Sequence, residues 1–370
     1  MRVLQLYRDH FADLPGGIER HVHDLAHGLA PVHQMEVVAS AKTPRQSTVD
    51  PDGVVVHVER EFARVGGVPL APRIFKRVRD GYDIVHMHSP NPTGELACWK
   101  LGGKTAVVAT YHADTTRAPL LLPAYGRWLE ALLAGCDRVI VGSQRLVEAS
   151  PVLRKLSRHP SLIQVIPFGV DAQRFSPAEG PAIRRWGPDP IVLFVGRLRY
   201  YKGLPFLIEA MSKVQARLVI VGDGQERERV VGLGRERLGD RFTYLPGIPE
   251  EELATVYRSA DVFCLPSTSE AEAFGLAALE AMACGVPVVT TEVGTATSEI
   301  NVDGETGLVV PPSNAGALSE ALRLLLEDSA RRHQMGAAAR ARVLAEYTRD
   351  LMLRRVSQVY EQVLADRRLA

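Results

Sequence analysis

Four short stretches carry residue types able to do chemistry together. The first is Pro15-Gly16-Gly17-Ile18-Glu19-Arg20, which follows an apolar run and a short loop and opens an amphipathic pattern. Adjacent glycines allow close backbone approach, and N–H groups at a helix start favour an anion. Gly16 and Gly17 are therefore candidate phosphate contacts, and a plain tight turn fits the same residues. The second is Gly196-Arg197-Leu198-Arg199-Tyr200-Tyr201-Lys202-Gly203-Leu204. Arg197 offers a fork for phosphate oxygens and Lys202 a point charge; ordinary surface cations are the plainer alternative. The third spans Ser269–Gly285 and holds Glu272 and Glu280 with seven residues between them. Leu276–Cys284 reads as a helix stopped by Gly285, with Pro287 beyond. Its N-terminus falls near Phe274–Gly275, where orphan N–H groups can meet an anion. Glu280 then lies about 7.5 Å along the axis at 1.5 Å per residue. A diphosphate on the helix end would bring an attached ribose to Glu280 and a sugar to Glu272, with both carboxyls accepting hydroxyl hydrogen bonds. Acids that merely stabilise the helix dipole are the simpler reading. The fourth is Thr110-Tyr111-His112-Ala113-Asp114 at a strand end. His112 is the candidate there for a hydrogen bond to a ligand in a cleft. His86 and His88 alternate onto one face of a neighbouring strand, but no third ligand has metal-site spacing, so no metal is expected.

Elements that position these stretches follow from the hydrophobic pattern. Strands are expected at Arg2–Tyr7, Glu36–Ser40, Val54–Val58, Ile84–His88, Ala106–Tyr111 and Arg138–Val141, with helices such as Ile18–Leu29 and Tyr125–Ala134 between them. The series restarts at Ile191–Val195, Arg217–Val221, Phe242–Leu245, Val262–Leu265, Val286–Thr290 and Leu308–Val310. Near-continuous Val, Ile and Leu suit strands buried on both faces of parallel sheets. Two βαβ series predict two doubly wound α/β domains, 1–168 and 169–346. A Pro- and Gly-rich hinge at Pro167–Pro190 should separate them. Residues 347–370 form one helical pattern built on Leu351, Leu353, Val356, Val359, Tyr360 and Leu364. Ligands of open α/β sheets bind beyond the strands' carboxyl ends, and a cleft between two such domains is the default site.

The 370 residues carry 44 Lys+Arg against 43 Asp+Glu, which excludes a protein that holds nucleic acid by bulk charge. Four scattered cysteines, Cys98, Cys136, Cys264 and Cys284, make no disulfide framework or metal motif and suit a reducing cytoplasm. No apolar run is long enough for a signal core or a spanning helix. Arg73–Arg79 is a basic amphipathic stretch that suits peripheral contact with anionic lipid, or an ordinary solvated helix face. Three apparent motifs fail. Gly102-Gly103-Lys104-Thr105 has Cys98 where a Walker A loop needs glycine. Gly222-Asp223-Gly224 lacks a third glycine, and Asp50-Pro51-Asp52-Gly53 is better read as a turn than as a metal loop. No G-x-S-x-G elbow is present.

In their joint order these stretches resemble the retaining GT-B-fold glycosyltransferases that bear the E-x7-E signature, and bacterial polysaccharide mannosyl- and glucosyltransferases in particular. The likeness covers nearly the whole chain. It also takes in Ile166-Pro167-Phe168-Gly169-Val170-Asp171, Val221-Gly222-Asp223-Gly224 and Asn301–Gly307. The resemblance implies an acceptor-binding N-terminal domain, a nucleotide-sugar-binding C-terminal domain and a final helix that packs back on the first. Arg197 and Lys202 would neutralise the donor diphosphate. Gly16, Gly17, Gly196, Gly222 and the Phe274, Gly275 and Leu276 amides would cradle it. Glu280 would take the ribose, Glu272 the donor sugar, and His112 would stand beside the transferred sugar. No cofactor or metal is implied. The expected reaction moves mannose from GDP-mannose, or glucose or another hexose from a UDP-sugar, to a glycan or lipid-linked glycan in the cytoplasm. Two rivals share the architecture: a nucleotide-sugar epimerase and a non-catalytic sugar-nucleotide binder. An epimerase converts the donor alone, and a binder converts nothing.

Overall fold

The computed structural model describes residues 1–9, 16–65, 68–101, 103, 105–113, 122–159, 161–177 and 185–369. Pro15, Gly102, Lys104, Asp114 and part of the expected hinge lie outside them. The chain divides into two compact units, Met1–Pro167 with Asp350–Ala370, and Phe168–Arg349.

The first unit contains β1 (Arg2–Asp9), β2 (Gln34–Ala41), β3 (Arg45–Val49), β4 (Val55–Arg60), a small hairpin of β5 (Ala63–Val65) and β6 (Val68–Leu70), then β7 (Ile84–Ser89), β8 (Ala106–Tyr111), β9 (Arg138–Val141) and β10 (Ile163–Val165). Eight of these form one sheet in the order β10-β9-β8-β7-β1-β2-β4-β3. All its pairings are parallel except that of β3 with β4. Val3, Leu4, Leu6 and Tyr7 of β1 are fully buried, as is Gln5 among them. The Gly17–Leu29 helix that follows β1 turns Val22, Leu25, Ala26 and Leu29 inward. The C-terminal helix, Arg349–Leu369, belongs to this unit from Asp350 onward and buries Met352, Leu353, Val356, Val359, Tyr360 and Val363. Met352 and Val363 replace the expected Leu351 and Leu364, which are only half-buried. Arg367 ties the helix end to Asp137 through two hydrogen bonds of 2.6 and 2.9 Å.

The second unit holds β11 (Ile191–Val195), β12 (Arg217–Val221), β13 (Phe242–Leu245), β14 (Val262–Leu265), β15 (Val288–Thr291) and β16 (Gly307–Val310). Their order is β13-β12-β11-β14-β15-β16, and every pairing is parallel. β15 starts at Val288 rather than at the expected Val286, because Pro287 has no N–H to give a ladder. In each unit the strand order reverses beside the first strand, between β1 and β7 and between β11 and β14. Ligand sites of doubly wound sheets form at these points.

All four cysteines are free and buried. Burial pushes the Cys136 and Cys284 thiols up to about 12, leaving no ready thiolate. No helix among the described residues is long and apolar enough to cross a membrane.

Candidate active site

The loops after β11, β12 and β14 build a charged cluster in the second unit. A Cβ on Gly222 would collide with the Gly196 carbonyl oxygen, so the turns after β11 and β12 can close together only with glycine there. The Leu198 N–H reaches the Asp223 carbonyl at 2.9 Å and holds the two turns in register. From this base the chain makes a 3-10 turn, Tyr200–Lys202. Thr268, in the loop after β14, donates its N–H to the Tyr201 carbonyl at 2.7 Å. That clamp delivers Lys202 to Glu272. Lys202 Nζ lies 2.5 Å from Glu272 Oε2, and both side chains are about nine-tenths buried. Ser267 Oγ donates to the same oxygen at 2.8 Å. Thr295 Oγ1 binds the Glu272 carbonyl at 2.6 Å, pinning the loop from behind.

Gly275 stands at φ +84°, a left-handed conformation natural to glycine, and caps the Leu276–Ala283 helix. The helix ends at Ala283, one residue before the expected Cys284, which is its C-cap. Phe274 turns its ring away into the unit, 4.6 Å from that of Phe168. The Phe274–Leu276 amides thus sit at the helix start, where the backbone favours an anion. Glu280, the fifth residue of this helix, accepts a hydrogen bond from the Tyr257 hydroxyl at 2.6 Å. Arg197 is half-buried after β11. Burial raises the Tyr201 hydroxyl pKa, while Lys202, Arg199 and Arg197 pull it down, so these cations share one neighbourhood.

In the first unit Gly16 is extended at φ −161° and precedes Gly17, the first residue of its helix. Any residue adopts that conformation, so backbone freedom is not what glycine supplies at Gly16. His112 follows β8 and is buried. Its Nε2 lies 3.0 Å from His88 Nδ1, and His88 Nε2 lies 2.8 Å from Gln5 Oε1. Gln5 Nε2 donates to the Tyr360 hydroxyl at 2.9 Å. His86 meets that hydroxyl through Nδ1 at 2.6 Å and Thr110 Oγ1 through Nε2 at 2.7 Å. His86 and His88 share a face as expected, their rings stacked 4.5 Å apart. Burial pushes the His21 and His86 pKa values down to about 3. Burial and the neighbouring imidazoles drive His88 and His112 well down too, so all four are neutral at pH 7.

Spacing showed no third metal ligand, yet the fold supplies a third imidazole. His21, His88 and His112 each bring a ring nitrogen within 4.8 Å of the others, a donor set chemically suited to zinc. His21 takes the position in its helix that continues the Leu25–Leu29 stripe, a polar residue on an apolar face, which was the signal available. The facing nitrogens of His88 and His112 are spent on each other. Their ring centres are 5.3 Å apart and the ring planes are inclined by 23°. With 3.0 Å between the nitrogens, two ring radii fill the remainder. The nitrogens therefore point head to head, the geometry of an N–H···N hydrogen bond rather than of two lone pairs converging on an ion. Tyr257, Ser267 and Gln5 also escaped the sequence reading, and Tyr360 was read only as part of the last helix's apolar stripe. Gln5 alone carried a signal, as a polar residue inside an apolar strand.

The Arg73–Arg79 stretch holds only one helical turn, Ile74–Arg77. Ile74 and Val78 are buried, Arg77 pairs with Glu59 at 2.8 Å, and Arg73, Lys76 and Arg79 are exposed.

Residues 15–174 match the family model described as Glycosyltransferase Family 4, and residues 181–342 match Glycosyl transferases group 1. D-rhamnosyltransferase WbpZ of Pseudomonas aeruginosa is 31% identical, over 94% of this chain and 92% of the relative. The chain is a GT-B glycosyltransferase. The O-antigen chain mannosyltransferase C of Escherichia coli is 29% identical to this glycosyltransferase over 98% and 99% of the two chains. Sucrose-phosphate synthase from Thermosynechococcus elongatus superposes with a TM-score of 0.81 at 27% identity, covering 99% of this chain and all of that one. Two Rossmann-like units are the architecture of GT-B enzymes. In this glycosyltransferase the loops described above are those that follow the central strands of each unit.

Proposed function

We propose that this enzyme transfers a hexose from a nucleoside diphosphate sugar to a hydroxyl of a glycan or lipid-linked glycan, with retention and without a metal ion. Mannose from GDP-mannose is the first choice, which the mannosyltransferase among its relatives supports; a UDP-hexose is the second. The observation that carries this reading is the buried Lys202–Glu272 pair beside the start of the Leu276–Ala283 helix. An ammonium has three donors, and Glu272 takes one. The others are available to the diphosphate, together with Arg197 and the Phe274–Leu276 amides, while Gly196 and Gly222 give the backbone room. Lys202 and Ser267 both bind Oε2 of Glu272, so Oε1 is the oxygen for a sugar hydroxyl. Glu280, braced by Tyr257, takes the ribose.

As the glycosidic bond breaks, negative charge grows on the leaving diphosphate and the sugar becomes oxocarbenium-like. Fixed cations and amide dipoles aimed at the phosphates stabilise that state more than the ground state. Neutral His112 hydrogen-bonds a carbohydrate hydroxyl. Proton transfer from the acceptor to the departing phosphate on the same face would give retention. Exposed Arg73, Lys76 and Arg79 suit an anionic lipid-linked acceptor.

Calorimetric titration with UDP, GDP, ADP and TDP in EDTA tests the cradle. Tight binding of GDP is expected. A folded protein that binds none of them, or only with added divalent cation, overturns the reading. The anomeric configuration of the product tests retention, and an inverted linkage excludes it.

A further inference from the structure

Hydrogen bonds among neutral groups have direction, and in the buried chain at the β1–β7 switch point the Gln5 amide, whose two ends differ, sets it. An amide has one donor end and one acceptor end. Gln5 Nε2 donates to the Tyr360 hydroxyl, so Gln5 Oε1 must accept, and His88 Nε2 carries the hydrogen that it accepts. A neutral imidazole has one N–H. His88 Nδ1 is then bare and accepts from His112 Nε2, in the head-to-head geometry already described. The branch through His86 agrees. The Tyr360 hydroxyl, having accepted from Gln5, donates to His86 Nδ1, and His86 donates from Nε2 to Thr110 Oγ1. Reversing the chain would require turning the Gln5 amide, the Tyr360 hydroxyl and three imidazole tautomers together, so each link holds the next.

We infer that Tyr360, Gln5 and His88 are positioning residues that fix His112 as its Nε2–H tautomer, leaving Nδ1 as a hydrogen-bond acceptor for a carbohydrate hydroxyl. The part concerning carbohydrate rests on the proposed transferase reaction; the tautomer does not. Tyr360 lies on the C-terminal helix, 248 residues beyond His112. That helix thereby sets the chemical character of His112 as well as covering the sheet.

Full-length protein labelled with 15N-histidine reports tautomers directly, with His112 assigned by comparison with His112→Gln. A long-range 1H–15N spectrum should show a protonated Nε2 and a bare Nδ1 for His112. A protonated Nδ1 overturns the inference without touching the transferase reading, which the diphosphate titration tests separately. Tyr360→Phe keeps the ring and removes the hydroxyl. It should mix the His112 tautomers and lower kcat/KM about five- to tenfold, as for one misdirected hydrogen bond. GDP affinity should be unchanged. An unaltered His112 signal in folded Tyr360→Phe overturns the positioning role. Zinc alone is the remaining probe. One equivalent that shifts His21, His88 and His112 together would mark a metal centre and overturn the hydrogen-bonded assignment.

Discussion

At its switch point the 168–349 unit buries charge: Lys202 and Glu272 face each other at 2.5 Å with Ser267 as a second donor. At the corresponding strand ends the other unit buries a neutral chain of His86, His88, His112, Gln5, Thr110 and Tyr360. The two solutions hold their groups by different physics. A buried ion pair is held by mutual charge, and either partner left alone is costly. Such a pair is suited to a ligand that brings its own charge, because Lys202 can meet a phosphate without leaving Glu272. A neutral network is held by matched donors and acceptors. It has little to offer an anion, but it presents a fixed lone pair or N–H to a hydroxyl. On the proposed reaction the charged cluster would meet the diphosphate and the neutral chain the sugar hydroxyls.

Removing the charge should give the largest effect. Lys202→Met should lower turnover by at least about a hundredfold, as expected for a fixed cation aimed at a leaving group. It should also cost about 3–5 kcal/mol of stability, because Glu272 stays buried without its partner. The double variant Lys202→Met with Glu272→Gln should regain most of that stability and none of the turnover. Urea unfolding and single-turnover kinetics read the two effects separately. Near-wild-type kinetics in the double variant would remove both residues from the site.

Acid should separate the two units next. Burial lowers the folded-state pKa of His21 and His86 to about 3, against about 6.5 in an unfolded chain. The unfolded state therefore binds more protons below pH 6.5, so stability is full above that value and falls as pH drops toward 3. Each of these histidines costs up to about 1.4 kcal/mol per pH unit within that window. Of the 11 histidines, only His333 lies within residues 168–349. Hydrogen exchange at pH 7 and pH 4.5 should show the 1–167 unit losing protection well before the other. Equal loss in both units would show that the histidine chain does not set acid stability.

What was legible in the sequence, and what was not, follows the same division. β8, β11 and β14 were readable because their centres are unbroken apolar runs, as burial on both faces requires, and β1 because only Gln5 interrupts the run Val3–Tyr7. β3, with Arg45-Gln46-Ser47-Thr48-Val49, is a polar edge strand. β5, β6 and β10 have three residues each, too few for a pattern. On the charged side, Lys202, Glu272 and Glu280 stood out because acids and cations beside glycines and a helix start are unusual. The partners that aim them, Ser267 and Tyr257, are set by strand order and carry no local signature. On the neutral side the gap was wider. His21 meets the His88 and His112 rings only because sheet order sets β7 and β8 on the far side of β1 from β2, and Tyr360 comes from the far end of the chain. Spacing along a sequence cannot show a contact that depends on sheet order.

The smallest effect sharpens the comparison most, because chemically identical deletions in the two units should act on different steps. Tyr257→Phe removes the donor to Glu280 and leaves the ring packed between Phe175 and Phe263, both 5.8 Å away centre to centre. Losing a hydrogen bond to a carboxyl group should cost about 1.5 kcal/mol of stability. If Glu280 binds a ribose, that contact is much the same in the ground and transition states. Looser aim of Glu280 should then raise donor KM about threefold and leave kcat almost unchanged. Tyr360→Phe should do the reverse, lowering turnover while diphosphate affinity stays constant. Two tyrosine hydroxyls, each deleted without loss of its ring, would thus separate a residue that aims a binding group from one that sets a tautomer. If Tyr257→Phe lowered kcat and spared KM, Glu280 would have to contact something that changes during the reaction, and its assignment to the ribose would fall.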